Sequence, residues 1–176
     1  HVWKGWVYFL KQQWAAALAE ASAAIADDPN NANAYSVAGF WKLFMGHGED
    51  GFAGVENALR LSPHDPFLPN WQYWICHLHT HLAQWEKAIE WCSKSIANGG
   101  RDMYSLVDLA AANAWAGHDK EAKDAAAQLQ KVNPDFTVKG WAGIHWTDDP
   151  TFNAQYARIV DRLRKAGVPE GEKKMD

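Results

Sequence analysis

The sequence predicts an all-α protein, an array of antiparallel helix pairs wound into a superhelix. Three observations carry this. Alternating β-branched runs do not occur, whereas Ala-rich helical stretches such as WAAALAEASAAIA (14–26) and DKEAKDAAAQLQKV (119–132) do. A Pro-containing turn follows a helix three times, in DDPNNANAY (27–35), LSPHDPF (61–67) and VNPDF (132–136). Pro29 and Pro63 stand 34 residues apart, a period that fits one helix–turn–helix unit.

The 176 residues suffice for one core or a short array. A net charge of −4 without a basic block disfavours nucleic acid as a partner. No apolar run approaches the roughly 20 residues that span a bilayer. The opening HVWKGWVYFL has no initiator Met and no cleavage site, so it reads as the inside of a helix in a piece of a longer protein. Two cysteines, Cys76 and Cys92, are too few for a disulfide framework, and the expectation is reduced thiols in a cytoplasmic protein. Eleven tryptophans fill either a core or a binding surface, depending on their phase.

Small residues recur at matching points of each unit. Residues 1–31 carry Gly5, Ala17, Ala24 and Pro29. Residues 32–65 carry Gly39, Gly51, Ala58 and Pro63, with Gly46 between the helices. Residues 103–136 carry Ala110, Ala122 and Pro134, with Gly117 at the turn and Leu129 at a position that is otherwise small. Residues 69–102 join the pattern once Pro66 to Leu68 are set aside as an insertion, giving Cys76, Ala83 at the turn, Ala88, Ser95, and Gly100 in place of the proline. This pattern resembles the tetratricopeptide repeat (TPR), with small residues at positions 8, 20 and 27, a turn at 15 and Pro at 32. The resemblance implies a TPR solenoid of four helix pairs, the first (1–31) truncated, followed by 32–65, 69–102 and 103–136. Leu129 implies looser packing in the last.

Residues 137–169 read as a connecting loop and a capping helix, with Asp149 as its cap, Pro150 in its first turn, a stripe of Phe152, Tyr156, Ile159 and Leu163, and Gly167 and Pro169 as its stop. Such a helix can cover the last apolar face of a solenoid. The tail 170–176, EGEKKMD, reads as disordered. At a finer level LSPHDPF, the three-residue insertion, QWEKAIEW (84–91), NPDFTV (133–138) and RLRKAGVPE (162–170) resemble the C-terminal repeat region of bacterial, mostly α-proteobacterial, class III adenylate cyclases. The resemblance implies a regulatory or interaction module of a signalling protein, not the cyclase activity.

In the TPR family, positions 2, 5, 9, 12 and 13 of each first helix line the concave face. Here they give Trp6, Phe9 and Leu10; Asn33, Ser36, Phe40, Leu43 and Phe44; Asn70, Tyr73, His77, Thr80 and His81; and Tyr104, Val107, Ala111, Ala114 and Trp115. The expected groove is aromatic and nearly uncharged, with Trp6, Phe40, Phe44, Tyr73, His77, His81, Tyr104 and Trp115 as its binding residues. Exposed apolar surface of this kind marks an interaction site, so the expected partner is a peptide or helix of another protein. The competing expectation is that these rings pack on one another or on the chain's own terminal segments. The cationic clamp of chaperone-binding TPR domains is missing, since its positions hold Val2, Trp6, Val37, Tyr104 and Asp108.

Two other functions compete. One is self-association as a dimer. The other is a metal-dependent enzyme using the cluster in WICHLHTHLAQW, where His77 and His81 have the i, i+4 spacing of a metal pair. By phase, Cys76 and His79 are expected in the core and His77 and His81 on the groove. No nucleophile elbow, phosphate loop or zinc-protease motif occurs, so the expectation is no enzyme, no metal and no cofactor.

Overall fold

The computed structural model describes residues 1–100 and 103–171. Among these the chain is all-α, with α1 (Val2–Leu10), α2 (Trp14–Asp27), α3 (Ala32–Lys42), α4 (Phe52–Leu61), α5 (Leu68–His81), α6 (Trp85–Ala97), α7 (Met103–Ala116), α8 (Asp119–Val132), the short α9 (Val138–Ala142) and α10 (Pro150–Lys165). Helix α3 tightens into a 3₁₀ turn at Leu43–Met45, and a second 3₁₀ turn at Glu49–Gly51 leads into α4.

The first eight helices form four antiparallel hairpins, each packed on the next, and the first helices of successive hairpins lie side by side on the inner face. Close crossing explains the small residues. A side chain at Gly39 would collide with the Gly51 carbonyl and with the Val55 backbone nitrogen at 3.0 Å, so α3 and α4 meet backbone to backbone. Ala17, Ala21 and Ala24 of α2, Ala58 of α4, Ala88 of α6 and Ala122 of α8 are sealed at equivalent crossings. Leu129 is also sealed, so the last hairpin has closed around the larger side chain, contrary to the looser packing expected there.

The four inter-helix turns share one backbone device. Gln12 (φ 57°), Gly46 (φ 76°), Ala83 (φ 60°) and Gly117 (φ 85°) all adopt the left-handed conformation that reverses the chain after a helix. Among the described residues, side-chain caps start three helices. Asn31 accepts from the Ala34 N–H (3.0 Å), Thr137 from Gly140 (3.1 Å) and Asp149 from Phe152 (2.8 Å).

Two expectations need correction. Cys76 and Cys92 are not reduced: they are joined as a disulfide, with Cα atoms 5.1 Å apart, because they sit opposite each other where α5 crosses α6. The end of the chain is tied down as far as Glu170, whose carbonyl accepts from the Lys139 N–H (3.0 Å) while the Pro169 carbonyl accepts from Val138 (2.9 Å). The rest of the expected tail, 172–176, lies outside the described residues.

The last helix decides what the inner face looks like. Instead of covering the outer side of α8, α10 turns back and packs on α7 and α5, reaching the 3₁₀ turn at the end of α3. It thus lies in the concave face. Its buried stripe is Phe152, Tyr156, Ile159, Val160 and Leu163. Lys165 Nζ donates to the Ala114 carbonyl at the far end of α7 (2.9 Å), and the preceding loop is held where Thr147 Oγ1 donates to the Phe44 carbonyl (2.9 Å).

Candidate functional site: an aromatic cavity under the last helix

With α10 in place, the concave face is no longer an open trough. What remains is a cavity of about 340 Å³. Trp6 and Phe9 of α1, Phe40 and Phe44 of α3 and its 3₁₀ turn, and Asn70, Tyr73, Trp74 and His77 of α5 form one side. Tyr104 of α7, Trp141 of α9, Trp146 of the loop, and Phe152 and Tyr156 of α10 form the other. Among the described residues no Lys, Arg, Asp or Glu lines it. Asn70 and Tyr104 are exposed and mark its rim.

The rings are held by one another. Phe40 stacks on Trp74 (centroids 4.7 Å, 10°), Trp6 meets Trp41 edge to face (5.2 Å, 88°), and Phe44 lies between Trp14 (5.5 Å) and Phe152 (5.1 Å). Tyr156 donates its hydroxyl to the Trp141 carbonyl at 2.6 Å, fixing α10 to α9. Burial pushes the Tyr156 phenol up to about 12. The cavity is therefore a preformed, rigid, apolar container.

His77 is the imidazole among its lining residues. The ring Nδ1 stands 2.6 Å from Asp108 Oδ2, and both side chains are buried. A carboxylate only accepts, so Nδ1 carries the proton and donates to Asp108. One turn later His81 is sealed beneath α10, its ring against His77 (4.6 Å) and Phe152 (4.6 Å), with Nδ1 3.3 Å from Gln155 Oε1. Burial first, then the charge of His77, holds His81 well below the usual histidine range.

Of the eight residues expected to bind, six line the cavity: Trp6, Phe40, Phe44, Tyr73, His77 and Tyr104. Two do not. His81 is covered by α10 and belongs to the core. Trp115, at the end of α7, stacks on Trp85 (4.2 Å, 20°) and is covered by the Arg162 guanidinium at 3.9 Å, outside the cavity. Thr80 likewise turns back to donate to the Cys76 carbonyl (2.9 Å) and is sealed. His79 packs on Phe52 (4.4 Å) between helices, as its phase predicts.

Comparison with known proteins follows from this geometry. No family model and no curated protein matches the sequence. Solved structures do match. YrrB, a TPR protein with an unusual peptide-binding site, shares 18% identity over 94% of this chain and 82% of its own, with a TM-score of 0.63. Two structures of MamA share 16% and 13% identity, cover 92% and 94% of this chain and 91% and 95% of theirs, and give TM-scores of 0.65 and 0.66.

The fold is a TPR-type solenoid. At these identities the likeness speaks for the fold alone, and the cavity rests on this chain's own residues. Four of the thirteen residues that line the cavity were invisible to a repeat-based reading. Trp141, Trp146, Phe152 and Tyr156 lie after the last repeat. The signal was there in FTVKGWAGIHW (136–146), which is too rich in aromatic and β-branched residues for a solvated linker. Among the described residues no group of three or more His, Cys, Asp or Glu side chains could hold a metal ion, and no helix is long and apolar enough to cross a membrane.

Proposed function

We propose that this solenoid is a protein-interaction module that anchors a partner by inserting one aromatic or bulky apolar side chain into the cavity between its inner face and α10. The observation that carries the reading is the cavity itself: about 340 Å³, walled by aromatic rings already locked against one another. Rigid rings give contact area without ordering cost on binding, which is what an anchor pocket needs. The peptide-binding site of YrrB, a structure of the same fold, supports a peptide as the partner. The resemblance to the C-terminal repeats of bacterial class III adenylate cyclases supports reading such a module as the non-catalytic, regulatory part of a signalling protein. The cytoplasmic setting rested in part on reduced cysteines and loses that support with the disulfide.

The test is selection of peptides from a displayed library on the purified protein, followed by titration of the best sequences. Aromatic-bearing peptides should be enriched, and Trp6→Ala should weaken them about tenfold or more. Selected peptides that bind Trp6→Ala as tightly as the parent would refute the cavity as the site.

A second reading, self-association, rests on a different face. Trp3, Val7 and Leu10 form an exposed stripe on the outside of α1 (77%, 50% and 78% exposed). Light scattering across a concentration series tests it: a strict monomer at all concentrations ends this reading, and loss of a dimer in Val7→Glu supports it.

A further inference from the structure

His77 gives the cavity a chemical preference that its apolar walls do not. The ring is part of the wall, and its Nδ1–H is committed to Asp108 at 2.6 Å. Asp108 comes from α7, is 1% exposed and is not among the lining residues, so it sets the tautomer without itself walling the cavity. In the neutral ring this leaves Nε2 as a lone-pair acceptor, and among the described residues no protein group is hydrogen-bonded to it. Its neighbour His81 shows the contrast: that Nε2 is also unpartnered but is sealed under α10, where nothing can reach it, whereas the Nε2 of His77 is not among the sealed atoms. Around this acceptor the walls are rings, and among the described residues no Lys, Arg, Asp or Glu lines the cavity to compete for a ligand.

Building on the peptide-anchor reading above, we propose that the anchor is an aromatic side chain bearing a hydrogen-bond donor, tryptophan or tyrosine, whose ring N–H or O–H is accepted by His77 Nε2, with Asp108 as the positioning residue that sets the tautomer. The size agrees. The volume is at the low end of the roughly 300–1,000 Å³ of small-molecule pockets, enough for one ring system and not for a folded segment. The energetic logic is that of a site built to pair with one polar atom. An isosteric ring without the donor fills the same space but leaves a nitrogen desolvated and unpaired, and so binds about tenfold more weakly. A ring presenting an acceptor sets two lone pairs against each other and is rejected further.

The experiment compares isosteres on the unaltered protein at pH 8 by calorimetry. The peptide Ac-Gly-Gly-Trp-Gly-Gly-NH2 is set against the same peptide with 3-benzothienylalanine, which keeps the shape and lacks the N–H, and free indole is set against indene and benzofuran. The expected result is binding of the tryptophan peptide about tenfold tighter than the benzothienyl peptide, and of indole about tenfold tighter than indene, with benzofuran weakest. Asp108→Asn gives an independent arm. An amide can donate to Nδ1, which moves the ring proton to Nε2, so the order of indole and benzofuran should reverse while the near-ultraviolet circular dichroism is retained. Equal binding of the two peptides would overturn the donor rule while leaving the anchor cavity intact. Preference for benzofuran in the parent protein would show that Nε2 donates, and would also overturn it. Binding of indole without either peptide would make the site one for a free aromatic molecule and remove the peptide. Binding of no probe would remove the anchor cavity itself.

Discussion

Phe152 stacks on Phe44, with ring centroids 5.1 Å apart and planes 24° from parallel, and so joins the last helix of the chain to the end of α3. Phe152 is 1% exposed and also covers His81. It is a core residue contributed by a segment outside the repeats. Phe152→Ala should therefore cost about 3–5 kcal/mol in urea unfolding, the usual range for a buried phenylalanine. The same change should loosen α10, seen as faster backbone amide exchange along Pro150–Lys165. A loss below about 1 kcal/mol would mean that α10 only rests on the inner face.

Trp6, Phe44 and Trp115 share a groove-facing phase in their repeats, yet they occupy different surroundings. Trp6 is half-buried in the cavity wall, Phe44 is fully packed between Trp14 and Phe152, and Trp115 lies under Arg162 away from the cavity. Their alanine variants should separate accordingly. Trp6→Ala should lose peptide affinity about tenfold with a modest fall in stability. Phe44→Ala should lose about 3 kcal/mol of stability or more. Trp115→Ala should bind the selected peptides within about twofold of the parent. Calorimetry and urea melts on the three proteins check this, and a large binding defect in Trp115→Ala would contradict the assignment of the cavity.

The same residues show how far the sequence could be read. Repeat phase states which side of its own helix a residue occupies, and that was enough to bring Trp6, Phe40, Tyr73, His77 and Tyr104 to one site. Phase does not state what a later part of the chain will lay over that side. His81 has the phase of a groove residue and became core because α10 returned over it. Trp115 has that phase too, but it sits in the last turn of α7, where Trp85 at the start of α6 offers a stacking partner. The disulfide was legible in principle. Cys76 occupies the small crossing position of α5, and Cys92 lies 16 residues on, where the antiparallel return of α6 brings it back alongside. Counting cysteines obscured what their register shows.

That pairing has a direct consequence. Cys76 and Cys92 are both sealed, so the bond should survive in the native protein and be absent only after unfolding in reductant. Denatured, unreduced protein should show no free thiol by Ellman titration, and reduction should lower stability by roughly 3 kcal/mol for a loop of this length on the chain-entropy model. Two titratable thiols in protein purified without reductant would restore the reduced expectation.

Ala83 carries φ 60° at the turn between α5 and α6, where the neighbouring hairpins place Gly46 and Gly117. The left-handed region costs a residue with a β-carbon on the order of 1 kcal/mol relative to glycine. Ala83→Gly should therefore stabilise the protein by about 0.5–1 kcal/mol, against the usual direction of a glycine substitution. A raised urea midpoint at unchanged slope is the expected observation. A lowered midpoint would mean that the methyl group packs well enough to offset the strain.

His81 gives the fold a pH dependence whose sign follows from its surroundings. The ring is sealed between α5 and α10. It faces His77 on its own helix, whose Nδ1 meets Asp108 of α7, and Phe152, Gln155 and Arg158 on α10, the last through an Nη2 contact to the His81 carbonyl at 3.4 Å. Burial is the main cause that holds its folded-state pKa well below the ordinary histidine value of 6.5, followed by the charge of His77, while the Gln155 contact opposes the shift. His79 is shifted in the same direction by its own burial. Above 6.5 both folded and unfolded chains hold His81 neutral, and nothing is lost. As the pH falls below 6.5 the unfolded chain takes up a proton that the folded chain refuses, so stability declines until the folded pKa is reached. For one such group the loss between pH 7.5 and pH 5.5 is on the order of 1 kcal/mol, with a further contribution from His79 in the same sense. Urea melts at the two pH values should show this fall, and His81→Leu should flatten it in part whatever its effect on absolute stability. Because α10 is the element seated on His81, amide protection factors along Pro150–Lys165, corrected for the intrinsic exchange rate, should fall at pH 5.5 before those of α2 or α4. A pH-independent melting profile in the parent protein would show that His81 is hydrated, and that α10 does not seal the inner face.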